Sequence, residues 1–169
     1  SEIILRRLKA AGSDLDAHLD AAERARALCI TRLCDEHLAP LILYFRWVDD
    51  EGWAQIRSVI FGTLPVPLQL FVPRLIRNRT RQALRGQGLG RHAPEELLVF
   101  AREDLQALSD QLGSSAFFGG EQPCSADAAA YGVLANLIIA TLETPLNRMA
   151  RAEFPVLVAY CERVRSQFW

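Results

Sequence analysis

Residues 128–140 read Ala-Ala-Ala-Tyr-Gly-Val-Leu-Ala-Asn-Leu-Ile-Ile-Ala, a run whose only strongly polar side chain is Asn136. At helical spacing such a run is apolar on every side, and a helix with no polar face has to be surrounded by other elements. It is too short, and too interrupted by Asn136, to cross a bilayer, which takes roughly 18 or more apolar residues. The rest of the chain is therefore expected to wrap around this helix as a core post.

The segment that opens it is equally informative. Phe117-Phe118-Gly119-Gly120-Glu121-Gln122-Pro123-Cys124-Ser125-Ala126-Asp127 places two glycines where a tight reversal needs backbone freedom and a proline just before the helix. Cys124 stands at the N-cap with Asp127 three residues on, the layout of a capping box, and Asp127 faces the positive end of the helix dipole. Sulfur is a poor acceptor, so the Cys124 half of such a box is weak.

With 169 residues, 50% of them hydrophobic, the chain is long enough for one well-buried core. Ala, Leu and Arg are abundant, no strand-like alternation of useful length occurs, and the expected class is all-α. A short helix over Ser1–Ala11 carries Ile4, Leu5 and Leu8 on one side. Asp20-Ala-Ala-Glu23 is a capping box opening a long helix toward Trp47, with Ile30, Cys34, Leu38, Leu41 and Phe45 as its buried stripe and a bend at Pro40. Glu51–Phe61 and a basic helix from Leu68 to about Arg85, disturbed by Pro73, come next. Pro94 starts a helix whose core face is Leu98, Ala101, Leu105, Leu108 and Leu112, ended by Gly113. Glu143–Arg151 reads as a connection, and a last helix runs from Pro155 to about Gln167. Six to eight helices around one apolar post make a bundle.

No Cys-x-x-Cys pair occurs among Cys29, Cys34, Cys124 and Cys161, which read as reduced core thiols of a cytoplasmic protein. Cys34 and His37 share a helix face but lack a second convergent pair, so no metal is assigned. Between Gly52 and Pro94 there is no acidic residue, while Arg57, Arg74, Arg77, Arg79, Arg81, Arg85 and Arg91 all fall there. Since the net charge is only -1, this is one positive surface rather than a uniformly basic domain, and neither nucleic acid nor membrane is expected as a partner.

Taken together, three stretches resemble the C-terminal domain of glutathione transferases: Gly-Gly-x-x-Pro-x-x-Ala-Asp127, the final Phe154-Pro-x-Leu-Val-x-Tyr-Cys-Glu-Arg163, and Ser1-x-x-Ile4. Gly86-Gln-Gly-Leu-Gly-Arg-His92 with Glu95-Glu96, and Tyr44-x-x-Trp47-x-Asp49-x-x-Gly52-Trp53, are similar to the subgroup of failed axon connections proteins and metaxins, with bacterial relatives. The resemblance implies a glutathione transferase C-terminal-like bundle over 20–169, with 1–11 as the last helix of a thioredoxin-like N-terminal domain. It also implies glutathione as co-substrate, bound mainly by that domain with Ser1 contributing, and a homodimer. No catalytic residue is expected in this chain. Its share would be a pocket for a small hydrophobic electrophile, walled by Tyr44, Arg46, Trp47 and Arg91, with Cys124 and Asp127 as the structural cap. Two alternatives stand beside this: the aromatics simply pack the bundle, or the whole fold is a non-catalytic interaction module of the metaxin and failed axon connections type.

Overall fold

A computed structural model describes residues 2–168, and among them there is no strand, only an isolated bridge pairing Phe117 with Gly120. Helix α1 (Glu2–Ala10) is followed by α2 (Ala21–Arg32), a π turn (Leu33–Leu38), α3 (Ala39–Trp47), α4 (Asp50–Phe61) and α5 (Val66–Gln87). A 3-10 turn (Leu89–Arg91) leads to α6 (Pro94–Leu112), α7 (Ser125–Ile138), α8 (Pro145–Glu153) and α9 (Pro155–Phe168). Because α2, the π turn and α3 run on continuously, the described residues form eight helical rods. Helix α7 packs on α2, α3, the π turn, α8 and α9, so it is the post of the bundle.

Local chemistry explains the turns. Asp20 accepts from Glu23 N and Glu23 from Asp20 N, both at 2.8 Å, which starts α2. Pro40 has no N–H to give the Glu36 carbonyl, and the ladder widens into the π turn just before it. The orphaned Glu36 carbonyl accepts instead from Gln87 Nε2 at 3.3 Å, which ties the end of α5 to the bend. The stripe Ile30, Cys34, Leu38, Leu41 and Phe45 is buried throughout. Gly52 lets α4 lie directly on the end of α3, where a Cβ would sit 1.9 Å from the Phe45 carbonyl oxygen.

Several expectations are corrected. Residues 143–151 are not a connection: Thr144 caps Asn147 N and starts α8, whose nine residues bury Leu146, Met149 and Ala150. The core face of α6 begins at Leu97, fully buried, rather than at the half-buried Leu98. Pro73 lies buried inside an unbroken α5, which starts at Val66. On α1, Ile3, Ile4 and Leu8 are exposed, so its apolar side is not covered by the bundle.

Candidate docking face on the central helix

Both ends of α7 are tied off by other elements. Asp127 accepts from Cys124 N at 2.8 Å and from Phe118 N at 2.9 Å, and the phenol of Tyr160 on α9 donates to it at 3.0 Å. The Cys124 sulfur faces the amides of Ala126 and Asp127 as a weak acceptor only. A stronger cap comes from far away in sequence: Asp16 accepts from both Ser125 N and Ser125 Oγ at 2.8 Å. That carboxylate also complements the positive helix end. At the other end, Asn147 Nδ2 donates to the carbonyls of Asn136 and Leu137, and Arg151 donates to those of Ile138 and Ala140. Nearly every orphan carbonyl of the last turn is thereby satisfied, with a cation at the negative end.

The flank of α7 departs from the expectation of complete enclosure. Ala128, Gly132 and Asn136, four residues apart, form an exposed ridge along the helix. Alanine and glycine carry so little apolar area that leaving them open is cheap, and the sequence pattern does not register it. On one side of this ridge lies an apolar hollow of about 410 Å³, lined by Leu15, Phe117, Tyr131, Val164 and Phe168. On the other lies a hollow of about 290 Å³, lined by Ile4 of α1, Thr31, Asp35 and Val133. Ala128 and Gly132 border both.

The residues expected to wall an electrophile pocket do not border either hollow. Tyr44 lies edge-on to Phe45 at 5.3 Å, and burial raises its pKa. Trp47 belongs to an aromatic cluster with Trp53 and Phe61 at 6.2 and 6.4 Å. Arg46 reaches α7, donating to the side chain and the carbonyl of Asn136, and burial holds its pKa down. Arg91 is folded back on the carbonyl of Arg85. Ser1 lies outside the described residues. His37, considered with Cys34, instead pairs with the buried Asp104 at 2.6 Å. No group of three or more metal-ligating side chains is gathered among the described residues.

The thiols offer no nucleophile in the core. Burial, with nearby carboxylates, pushes Cys34, Cys124 and Cys161 up to about 12. Cys29 is the exposed one. A native chain is expected to release one equivalent in a thiol-disulfide reagent assay, through Cys29, and the remaining three cysteines are expected to react only after denaturation.

An all-helical bundle around a carboxylate-capped central helix has the architecture of a glutathione transferase C-terminal-like helical domain. Sequence comparisons agree. Residues 101–164 match the family model described as glutathione S-transferase, C-terminal domain, and residues 2–77 match one described as outer mitochondrial membrane transport complex protein. The Isoprene-epoxide--glutathione S-transferase of Rhodococcus sp. (strain AD45) is 34% identical over 159 residues, covering 93% of this chain and 66% of that protein. Human Metaxin-1 is 30% identical over 174 residues, covering 98% of this chain and 37% of its own length. Mouse Metaxin-2 is 24% identical over 167 residues, covering 98% and 64%. No solved structure gives a significant match. The chain belongs to the glutathione transferase C-terminal-domain family, in a branch shared with the metaxins. It spans less than two thirds of the length of these relatives.

The expected cytoplasmic location is corrected by the same findings. The match of 2–77 to a model described as outer mitochondrial membrane transport complex protein speaks against a free cytoplasmic chain. Reduced buried thiols were a weak guide, since they report redox environment and not attachment. Among the described residues, no helix is long and apolar enough to cross a membrane.

Proposed function

We propose that this chain is the helical half of a two-domain glutathione-transferase-like protein that works by docking polypeptides, as a non-catalytic module of the metaxin type. The observation that carries the reading is the open ridge of α7. Gly132 sits in mid-helix, where glycine is unfavourable by about 1 kcal/mol against alanine, and a Cβ there would meet nothing within 4 Å. Nothing inside the bundle needs that glycine, so a surface that closes on the ridge from outside explains it. The first such surface is a preceding thioredoxin-like domain, to which α1 with its uncovered apolar side belongs.

Two substitutions test this. Gly132→Ala is expected to raise the stability of this chain by about 0.5–1 kcal/mol in urea unfolding, because the helix gains and no neighbour is disturbed. Gly132→Trp is expected to leave the fold intact yet weaken association with the thioredoxin-like domain, supplied in trans, by about tenfold or more. Undiminished association would overturn the reading.

A second reading is favoured by the 410 Å³ hollow, which is of small-molecule size, and by the Rhodococcus relative. In it the two-domain protein conjugates glutathione to a small apolar electrophile such as an epoxide. Turnover of an epoxide with glutathione by the joined protein would decide for this reading. The docking reading expects no turnover above the uncatalysed rate.

A further inference from the structure

We infer that the tip of the α4–α5 hairpin is a peripheral membrane contact that inserts into a bilayer surface bearing anionic lipid. It is separate from the α7 ridge and goes beyond the docking reading. At this tip Val59, Val66 and Phe71 are 76%, 72% and 71% exposed, and Leu68, Leu70 and Leu75 are about half exposed. The members of this set on α5 all lie between Val66 and Leu75, in the first half of the helix, so they occupy one end of one rod.

Their directions matter more than their number. At about 100° per residue, Leu68 and Leu70 point to nearly opposite sides of α5, and Phe71 and Leu75 fill the arc between them. A flat protein partner, or a second copy of the chain, covers one face of a helix. A narrow tip that is apolar around so much of its circumference suits a fluid medium able to close around it.

Charge completes the fit. Arg74 and Arg79 flank the Phe71–Leu75 ridge from either shoulder, and Arg57 lies on the neighbouring helix. All three are exposed, and none has an ion-pair partner among the described residues. By contrast Arg77 is occupied, pairing with Asp50, donating to the Val48 carbonyl at 2.7 Å and lying over Trp53 at 5.2 Å. From Gly52 to Pro94 no carboxylate interrupts the positive field. Phe71 leads, Arg74 stands level with Leu75, and Arg79 follows one turn behind, so the cations rim the apolar end at the level of lipid headgroups, where anionic lipid attracts basic side chains. Helix α5 does not span: none of the described helices is long and apolar enough for that. The contact departs from the expectation of no membrane partner, which rested on the lack of a spanning segment and did not see the tip.

The test is vesicle flotation of the full chain, with phosphatidylcholine vesicles alone and with phosphatidylglycerol added. Binding is expected only to the anionic vesicles, weakening as salt is raised. Phe71→Asp with Leu75→Asp, and separately Arg74→Glu with Arg79→Glu, are each expected to lower partitioning about tenfold or more with unchanged helical circular dichroism. Leu28→Asp, at an equally exposed apolar position away from the hairpin, serves as the control and is expected to bind as wild type. Absence of wild-type binding, equal binding to neutral vesicles, or indifference to both pairs of substitutions would each overturn the inference. So would a concentration-dependent dimer that the Phe71 and Leu75 substitutions abolish while vesicles are ignored, which assigns the tip to a second copy.

Discussion

Replacing Asp127 by alanine is expected to destabilise the protein by about 3–5 kcal/mol, a large part of the stability of an ordinary domain. The carboxylate is buried and serves three donors at once: the N–H of Cys124, the N–H of Phe118 and the phenol of Tyr160. Losing an N-terminal cap costs about 1 kcal/mol, and each buried donor left without a partner adds roughly 1–3 kcal/mol. Tyr160 keeps a weaker alternative in the Asp127 carbonyl at 3.3 Å, which holds the total toward the lower end of that sum. Asp127→Asn is expected to fall between wild type and Asp127→Ala, because one carboxylate oxygen becomes an NH₂ group facing a donor. Tyr160→Phe removes one hydrogen bond and is expected to cost about 1 kcal/mol. Urea unfolding of the three variants checks the order, and an Asp127→Ala loss under 1 kcal/mol would show that the cap is dispensable.

A second large effect is expected at high pH. Cys34, Cys124 and Cys161 are raised from 9.0 to about 12, first by burial and then by the charges of Asp35, Asp127 and Glu162 respectively. Tyr160 is also raised, by burial first and by the Asp127 charge next. The folded chain therefore keeps protons that the unfolded chain releases above about pH 9. The unfolded state binds fewer protons there, so stability falls as pH rises between 9 and 12, by about 1.4 kcal/mol per thiol per pH unit. Three thiols together give about 4 kcal/mol per unit, enough to unfold a domain of ordinary stability within roughly two to three units of pH 9. Helical circular dichroism followed from pH 8 to 12 under reducing conditions is expected to show this as a steep alkaline transition. Cys161→Ala is expected to lower the slope by about a third. A signal that stays flat to pH 12 would contradict the burial argument.

What was legible in the chain was what local chemistry decides. The Asp20–Glu23 box, the stripe from Ile30 to Phe45 and the Gly113 stop each depend on residues within a few turns of one another. Family membership was legible too, because it rests on such short segments, the start of α7 and the Phe154–Arg163 stretch among them. Helix α8 was missed because its apolar signal is only Leu146, Met149 and Ala150 amid polar neighbours, in nine residues. Asp16 as the cap of α7 and Asp104 as the partner of His37 were missed because they lie 109 and 67 residues from their partners. No spacing rule reaches across such gaps. The pocket assigned to Tyr44, Arg46, Trp47 and Arg91 rested on residue type, and aromatic and arginine side chains serve packing and carbonyl capping as readily as ligand binding. The open ridge was hidden for the opposite reason: Ala128 and Gly132 count as apolar whether or not anything covers them.

The tying-off of the central helix has a consequence for biosynthesis. Its first turn leans on Asp16, 109 residues before Ser125, and on Tyr160, made 33 residues after Asp127, while its final carbonyls wait for Asn147 and Arg151. On the ribosome the segment that organises the bundle stays incompletely bonded until α9 has emerged. A nascent chain arrested short of residue 160 therefore exposes its greasiest stretch to chaperones, and closure comes as one late event rather than helix by helix.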